Sequence, residues 1–391
     1  MSWPTVKLSD VCELITDGTH ISPVYCETGV AMLDSKHIKD GFYIDNTSPD
    51  KFISIETDKI LSNRCKPKTN DILISSRGSI GKIAIVNEGQ DFNIMGNMIL
   101  LRLPETICHK FLAYYIRTKV TYLISIANGV AQKGLYLNQV RSINFPLPPL
   151  AQQKRIAAIL DKADEIKRKR EQAIAKLDQL AQSIFMEMFG DLSNKKRWPI
   201  HSMHQLCQKI TDGTHHSPAI QSDGIPYITA KHLKADGLDF FSKPWFISKQ
   251  DHEQIYKRCD PKKGDVLYIK DGATTGIAAI NYYEFEFSML SSLALLRVNK
   301  NLLNAHYICY WLNSPIVKQN LLGFMAGAAI QRLTLAKIQK ISVPTPPLAL
   351  QEQFATRISK LEKLKASNIA ALEKQNQLFA SLQNQAFTGQ L

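Results

Sequence analysis

The chain repeats itself at an interval of almost half its length, and that repeat limits what it can fold into. Trp3-Pro4 returns as Trp198-Pro199, 198 − 3 = 195 residues later. At the same offset, residues 15–23 (ITDGTHISP) return as residues 210–218 (ITDGTHHSP), eight of nine identical. Gly29 then falls on Gly224, and Lys36-His37 on Lys231-His232. Residues 64–73 (RCKPKTNDIL) match residues 258–267 (RCDPKKGDVL), one step out of phase. Residues 146–153 (PLPPLAQQ) match residues 344–351 (PTPPLALQ) at 344 − 146 = 198. Small drifts that recover indicate loop insertions within one duplicated fold.

Each copy divides again. Its first part carries short apolar runs, such as Ile72-Leu73-Ile74 and residues 81–86 (GKIAIV), broken by Gly, Asn, Asp and Pro. That length and punctuation predict strands, and residues 110–126 and 305–322 predict helices, so each copy is a mixed α/β domain. After the proline cluster the character changes. Residues 151–190 hold no proline and no internal glycine. Ile156, Ile159, Ala163, Ile166, Ala173, Leu177, Leu180 and Ile184 form a three/four stripe interrupted at Arg170. Ile358, Leu361, Leu372, Phe379, Leu382 and Ala386 form a second, interrupted by Lys365, Asn368 and Gln375. Two helices of about 60 Å are predicted, packed as an antiparallel coiled coil whose polar interruptions fix register. The expected fold class is therefore α/β with a pseudo-twofold internal repeat. Its parts are a domain at 1–150, a helical spacer at 151–194, a second domain at 195–348 and a second spacer at 349–391.

Composition narrows the function. Lys and Arg outnumber Asp and Glu by 48 to 35, a net charge of +13 that suits a polyanionic partner. Seven cysteines with no Cys-x-x-Cys pair argue against a zinc finger or a disulfide framework. The opening MSWPTVKLSD has neither the charged nor the apolar region of a signal peptide. No apolar run approaches the ~18 residues of a spanning helix. A cytoplasmic protein with no membrane contact is expected.

Candidate chemistry is thin. Asp17, His20, Asp212, His215 and His216 are metal-ligand types, but Asp-Gly-Thr-His is also a good turn sequence and nothing completes a coordination shell. No metal site is expected. Residues 76–81 (SRGSIG) lack the spacing and terminal Lys-Ser/Thr of a P-loop. Pro148-Pro149-Leu150 has neither the Asn nor the aromatic residue of an amino-methyltransferase motif, and reads as a stiff helix entry. The run 167–170 (KRKR) reads as a solvated helix face. A nucleophile, acid–base pair or cofactor loop is absent from both copies, so no catalysis is expected. A non-catalytic coiled-coil adaptor whose repeated domains bind protein is the alternative.

Two such domains, each ending in Pro-x-Pro-Pro-Leu-Ala and a long helix and each carrying ITDGTH after a Trp-Pro start, resemble the specificity subunit of type I restriction–modification systems. The resemblance covers essentially the whole chain. It implies double-stranded DNA as the target, split into two short blocks, with adenine methylated in each. It implies two methyltransferase subunits as partners, and nuclease/translocase subunits in the full complex. S-adenosylmethionine, ATP and Mg would belong to those partners and not to this chain.

The repeat sorts candidate DNA contacts by role. Thr19, His20, Lys36 and His37 recur as Thr214, His215, Lys231 and His232, and identical residues cannot discriminate two different half-sites. They are candidates for scaffold or phosphate positioning. Base reading is expected from aligned positions that differ: Ser76 and Arg77 against Lys270 and Asp271, Lys82 against Ile277, and Gln132 and Lys133 against Gln331 and Arg332. Phe185, Met186, Met188 and Phe189, near the end of the first long helix, are candidates for docking a partner subunit or for packing on the neighbouring domain.

Overall fold

The computed structural model describes residues 3–129, 133–190, 197–234, 237–323 and 332–391. It falls into two compact units, Met1–Ile174 with Asn368–Leu391, and Ala175–Ser367. The first unit is built on an antiparallel sheet of β1 (Leu14–Asp17), β2 (Ile72–Ser75), β3 (Ile83–Ile85) and β4 (Met98–Arg102), in the order β1-β4-β2-β3. Alternate residues face opposite ways. Ile72, Ile74, Ile99 and Leu101 pack on one face with Phe111 and Leu112 of helix α1 (His109–Thr118). Leu73, Ala84, Met98 and Leu100 pack on the other, against the small sheet that contains Val30–Leu33 and Phe92–Ile94. Both faces are covered, which is why β2 reads as an unbroken apolar run instead of alternating. A separate pairing of Thr5–Lys7 with Asn144–Pro146 ties the start of the unit to the entry of helix α2 (Leu150–Phe189).

The second unit repeats this plan. Its sheet has β5 (Cys207–Asp212), β6 (Val266–Ile269), β7 (Ala278–Ile280) and β8 (Leu293–Val298) in the order β5-β8-β6-β7. Helix α3 (Ala305–Asn313) covers one face, and α4 (Leu348–Thr388) follows after Pro346-Pro347.

The proline-rich motif has a structural task. Gln153, at its end, accepts the backbone N–H of Cys108 at 2.9 Å and donates to the Pro148 carbonyl at 2.8 Å. Gln351 accepts from Asn304 and donates to Pro346 at the same two distances. Cys108 and Asn304 are the residues that precede α1 and α3. Each buried glutamine therefore pins the start of a long helix to the start of the sheet-covering helix.

The long helices pack antiparallel within each unit. In the first, Gln152 near the start of α2 donates to the Leu391 carbonyl at 2.6 Å, while Arg170 reaches Asn368 and Gln375 at 2.9 and 3.0 Å. In the second, Asp178 pairs with Lys365 at 2.6 Å and Phe185 packs on Phe354. The polar residues expected to interrupt the stripes are thus partners of one another or of the facing helix. On α2, positions 156, 160, 163, 167, 170, 174, 177, 181, 184 and 188 are all covered and follow a heptad seam. Ile166, Ala173 and Leu180, expected in the stripe, lie one position off it and are exposed. Lys167, expected in a solvated run, is on the seam, its ammonium 5.6 Å from the ring centroid of Phe379.

Candidate nucleic-acid interface

Sheet register brings the repeated turn and the variable loop together. β4 pairs Ile99 with Asp17 and Met98 with Ser75, so β1 and β2 end at the same edge. β8 does the same in the second unit, pairing Ala294 with Asp212 and Leu293 with Ile269. The Asp-Gly-Thr-His turn leaves from the first strand of each pair, and the loop of Arg77 or Asp271 from the other. Gly18 and Gly213 permit this turn because the chain passes against a neighbouring strand. A Cβ there would stand 2.1 Å from the Ile94 carbonyl oxygen, or 1.8 Å from that of Met289.

Each turn organises cations around one carboxylate. His20 Nε2 donates to Asp17 Oδ2 at 2.6 Å, and Arg64 donates to Asp17 Oδ1. Burial pushes the Asp17 carboxyl up, but the hydrogen bonds from His20 and Arg64 outweigh it and hold the group below its ordinary range. Asp212 is arranged likewise with Arg258 and, at 3.5 Å, His215. The carboxylates are the more buried partners, and His20, Arg64, His215 and Arg258 are about half exposed at their side chains. Beside Asp212 lies a cleft of about 320 Å³ lined by Thr214, His215, His216, Asp251 and Arg258. Carboxylate-held cations at a surface cleft are suited to phosphate oxygens. Arg64 and Arg258 escaped the sequence reading, although both open the repeated Arg-Cys-x-Pro-Lys block; a repeated acid and a repeated base were the signal.

The other candidates separate by burial. Thr19 and Thr214 brace their turns, donating to the Ile21 and His216 carbonyls at 3.1 and 3.0 Å. Of the two roles expected for His37 and His232, scaffold and phosphate positioning, burial fits the scaffold, because both rings lie inside the frame. Their Nδ1 atoms accept the backbone N–H of Asp34 and Thr229 at 3.0 and 2.9 Å, and His232 Nε2 donates to the Lys243 carbonyl at 3.0 Å. Burial holds His232 below the ordinary imidazole value. Lys36 is exposed and paired with Asp50 at 2.6 Å, and Lys231 lies over the Trp245 ring at 4.7 Å.

Among the expected base readers, Arg77, Lys82, Lys133 and Arg332 are exposed. Ser76 (3% exposed) and Lys270 (2%) are not, and are corrected: Ser76 is held in a backbone pairing, and Lys270 turns inward to Asp212 at 3.3 Å. Gln132 and Gln331 lie outside the described residues. The alignment of Lys133 with Arg332 also shifts by one. Leu135 donates to Ser76 as Leu333 does to Lys270, which makes Gly134 the counterpart of Arg332.

Phe185 and Phe189 are corrected as docking residues. They are buried among Tyr307, Tyr310 and Phe354, the core-packing alternative, and Met188 is half-buried beside them. Met186 is exposed. Among the described residues no group of three or more His, Cys, Asp or Glu side chains is placed to hold a metal ion, and no helix is long and apolar enough to cross a membrane.

Comparison with known proteins gives a consistent picture. The family model for the type I restriction modification DNA specificity domain matches residues 1–176 and 194–377. The type I restriction enzyme MjaIX specificity subunit of Methanocaldococcus jannaschii is 21% identical over 388 residues, 92% of this chain and 86% of that protein. The type I restriction enzyme EcoBI specificity subunit of Escherichia coli is 30% identical over 192 residues, 47% of this chain and 37% of that protein. The crystal structure of a type I restriction-modification system S subunit from M. genitalium superposes with a TM-score of 0.61 at 14% identity, covering 98% of this chain and 96% of that one. A chain from a structural study of complex assembly in the type I R-M system gives 0.55 at 20% identity, covering 100% and 98%. The superpositions bear on the fold.

Proposed function

The chain belongs to the type I restriction–modification DNA specificity family, and from that premise we propose that each half binds one block of a split DNA target, with recognition domains at about 1–150 and 195–348. The observation that supports this reading is the duplicated cluster of an exposed arginine and histidine on a less exposed carboxylate, Asp17/His20/Arg64 and Asp212/His215/Arg258, set beside a loop that differs between halves. The shared cluster grips phosphates and sets register; the differing loop reads base edges. The arginines supply charge to the grip at every pH.

Methylation of an adenine in each block, and restriction, belong to partner methyltransferase and nuclease/translocase subunits in this reading. S-adenosylmethionine, ATP and Mg are used there. This chain contributes position and selectivity. A protein-binding adaptor would have no need for the exposed cation cluster twice over.

The test is long-read methylation mapping of cells that express the chain with its methyltransferase subunits. A split motif that disappears when this chain is deleted is the expected result. Methylation without a split motif, from active partners, contradicts the proposal.

A further inference from the structure

The two units carry the same backbone bridge with its arginine on opposite strands. In the first, Arg77 faces Gly134; in the second, Asp271 faces Arg332. The bridges are counterparts, because the adjoining hydrogen bonds match: Leu135 N–H to the Ser76 carbonyl at 2.8 Å, Leu333 N–H to the Lys270 carbonyl at 2.7 Å. Position 134 has no side chain, and Arg77 lies across the space. A Cβ built on Gly134 would stand 3.6 Å from both Cγ and Nε of Arg77. At position 332 the arginine itself supplies that Cβ, and Asp271, in the place of Arg77, lies 3.4 Å from its Nε. One exposed guanidinium therefore stands over the bridge in each unit, sent from the loop in the first and from the facing segment in the second.

We propose that Arg77 and Arg332 are the same base-reading group delivered from opposite strands, each taking the O6 and N7 of a guanine at the matching position of its half-site. The inference rests on the DNA-recognition reading above and deepens it. The guanidinium fork fits two acceptors on one guanine edge, which a lysine ammonium cannot do in a fixed orientation. Asp271 pairs with Nε, which orients the fork and leaves the two terminal amino groups for the base. Among the described residues no carboxylate lies within ion-pair distance of Arg77. The second block is therefore the stricter of the two at this position. The two guanines lie equally far from the methylated base of their own blocks.

The experiment is methylation mapping of the full complex carrying variants of this chain. The wild type is expected to give a split motif with a guanine at equal distance from the methylated base in both blocks. Arg77→Ala should relax that position in the first block only, and Arg332→Gly the matching position in the second only. Each should raise methylation at sites with a wrong base there by about tenfold or more. The deciding variant joins Arg332→Gly to Asp271→Arg, which rebuilds the first unit's bridge in the second and should restore the guanine preference. If a single variant fails to accumulate, Arg77→Lys or Arg332→Lys keeps the charge, removes the fork and carries the same expectation. A split motif that the arginine variants leave unchanged, relaxation at unequal distances, or a double variant without restoration each overturns the inference while the proposed function stands. A wild type with no split motif overturns both.

Discussion

In the first unit Asp71 receives Arg102 through Nε and Nη2 at 3.0 and 2.7 Å; in the second, Asp265 receives Arg297 through the same atoms at 3.0 and 2.9 Å. The same arginines donate on to the Lys66 and Asp260 carbonyls at 2.8 and 2.7 Å. The glutamine locks correspond as closely. The histidine-capped turns and the carboxylate clusters recur with some partners changed. His20 lies 2.6 Å and His215 3.5 Å from its aspartate, and among the described residues only Asp212 of the two also meets a buried lysine, Lys270. At the rim the side chains change places: Arg77 becomes Asp271, and Gly134 becomes Arg332. A duplicated domain that must bind the same kind of backbone and discriminate different bases can keep its frame and its phosphate grip while varying the loop side chains. The two units differ in loop side chains such as Lys82 against Ile277, while the frame and one exposed arginine over the bridge are kept.

The largest effect expected from breaking this comparison lies in the core. Phe189 is 1% exposed and rings Tyr307 and Phe354, whereas Phe387, which meets Phe111 and Tyr115 in the first unit, is only half-buried. Phe189→Ala should cost about 3–5 kcal/mol in denaturant unfolding, and Phe387→Ala clearly less. Equal losses would mean that the two helix ends are anchored alike.

Next comes the phosphate grip. Arg64→Ala and Arg258→Ala should weaken DNA binding across all sequences and each lower the salt slope by about one. A change in the recognised bases, with an unchanged slope, would move these arginines to the reading side.

The helix seam gives a smaller contrast. Arg170→Ala removes the hydrogen bonds to Asn368 and Gln375 at a partly buried position and should cost about 1–3 kcal/mol. Lys365→Ala removes a pair whose Asp178 side chain is 53% exposed, and should cost under about 1 kcal/mol. A reversed order in unfolding midpoints would contradict the register role of Arg170.

The smallest effect is a pH dependence of the second unit. Burial keeps folded His232 below the ordinary imidazole value, so the unfolded chain takes up the proton first as pH falls. The stability that depends on the neutral ring is fully present above about pH 6.5 and is lost as pH drops below it, toward the lower folded value. His232→Gln should flatten the difference in unfolding midpoint between pH 7.5 and 5.5, and an unflattened difference would assign it to other groups.

Much of this was legible in the sequence. The repeat announced two like domains, and the seam-breaking Arg170, Asn368 and Gln375 announced a register that the structure realises as hydrogen bonds among those three side chains. The exposed Arg77 and Arg332 could be picked out because variable loops between repeated blocks are where two domains diverge. Other features were not legible for physical reasons. Lys270 looks like a surface cation until Asp212, distant in sequence, is folded beside it. Lys167 sits in a charge run, yet its aliphatic stem lies on the seam. Phe185 and Phe189 look available on a helix considered alone and are covered once α3 and α4 pack on it. The one-residue slip at Gly134 could be settled only by backbone hydrogen bonds, since the offset drifts in that stretch.

The central claim, that each half reads its own block of one split target, is tested most directly by making the halves the same. Methylation mapping would be carried out on a chain in which residues 3–147 are replaced by residues 198–345, with the partner methyltransferase subunits present. The account predicts a split motif whose two blocks are one sequence on opposite strands, matching the second block of the wild-type motif. Retention of the original asymmetric motif, or a new first block unrelated to the second, would contradict it.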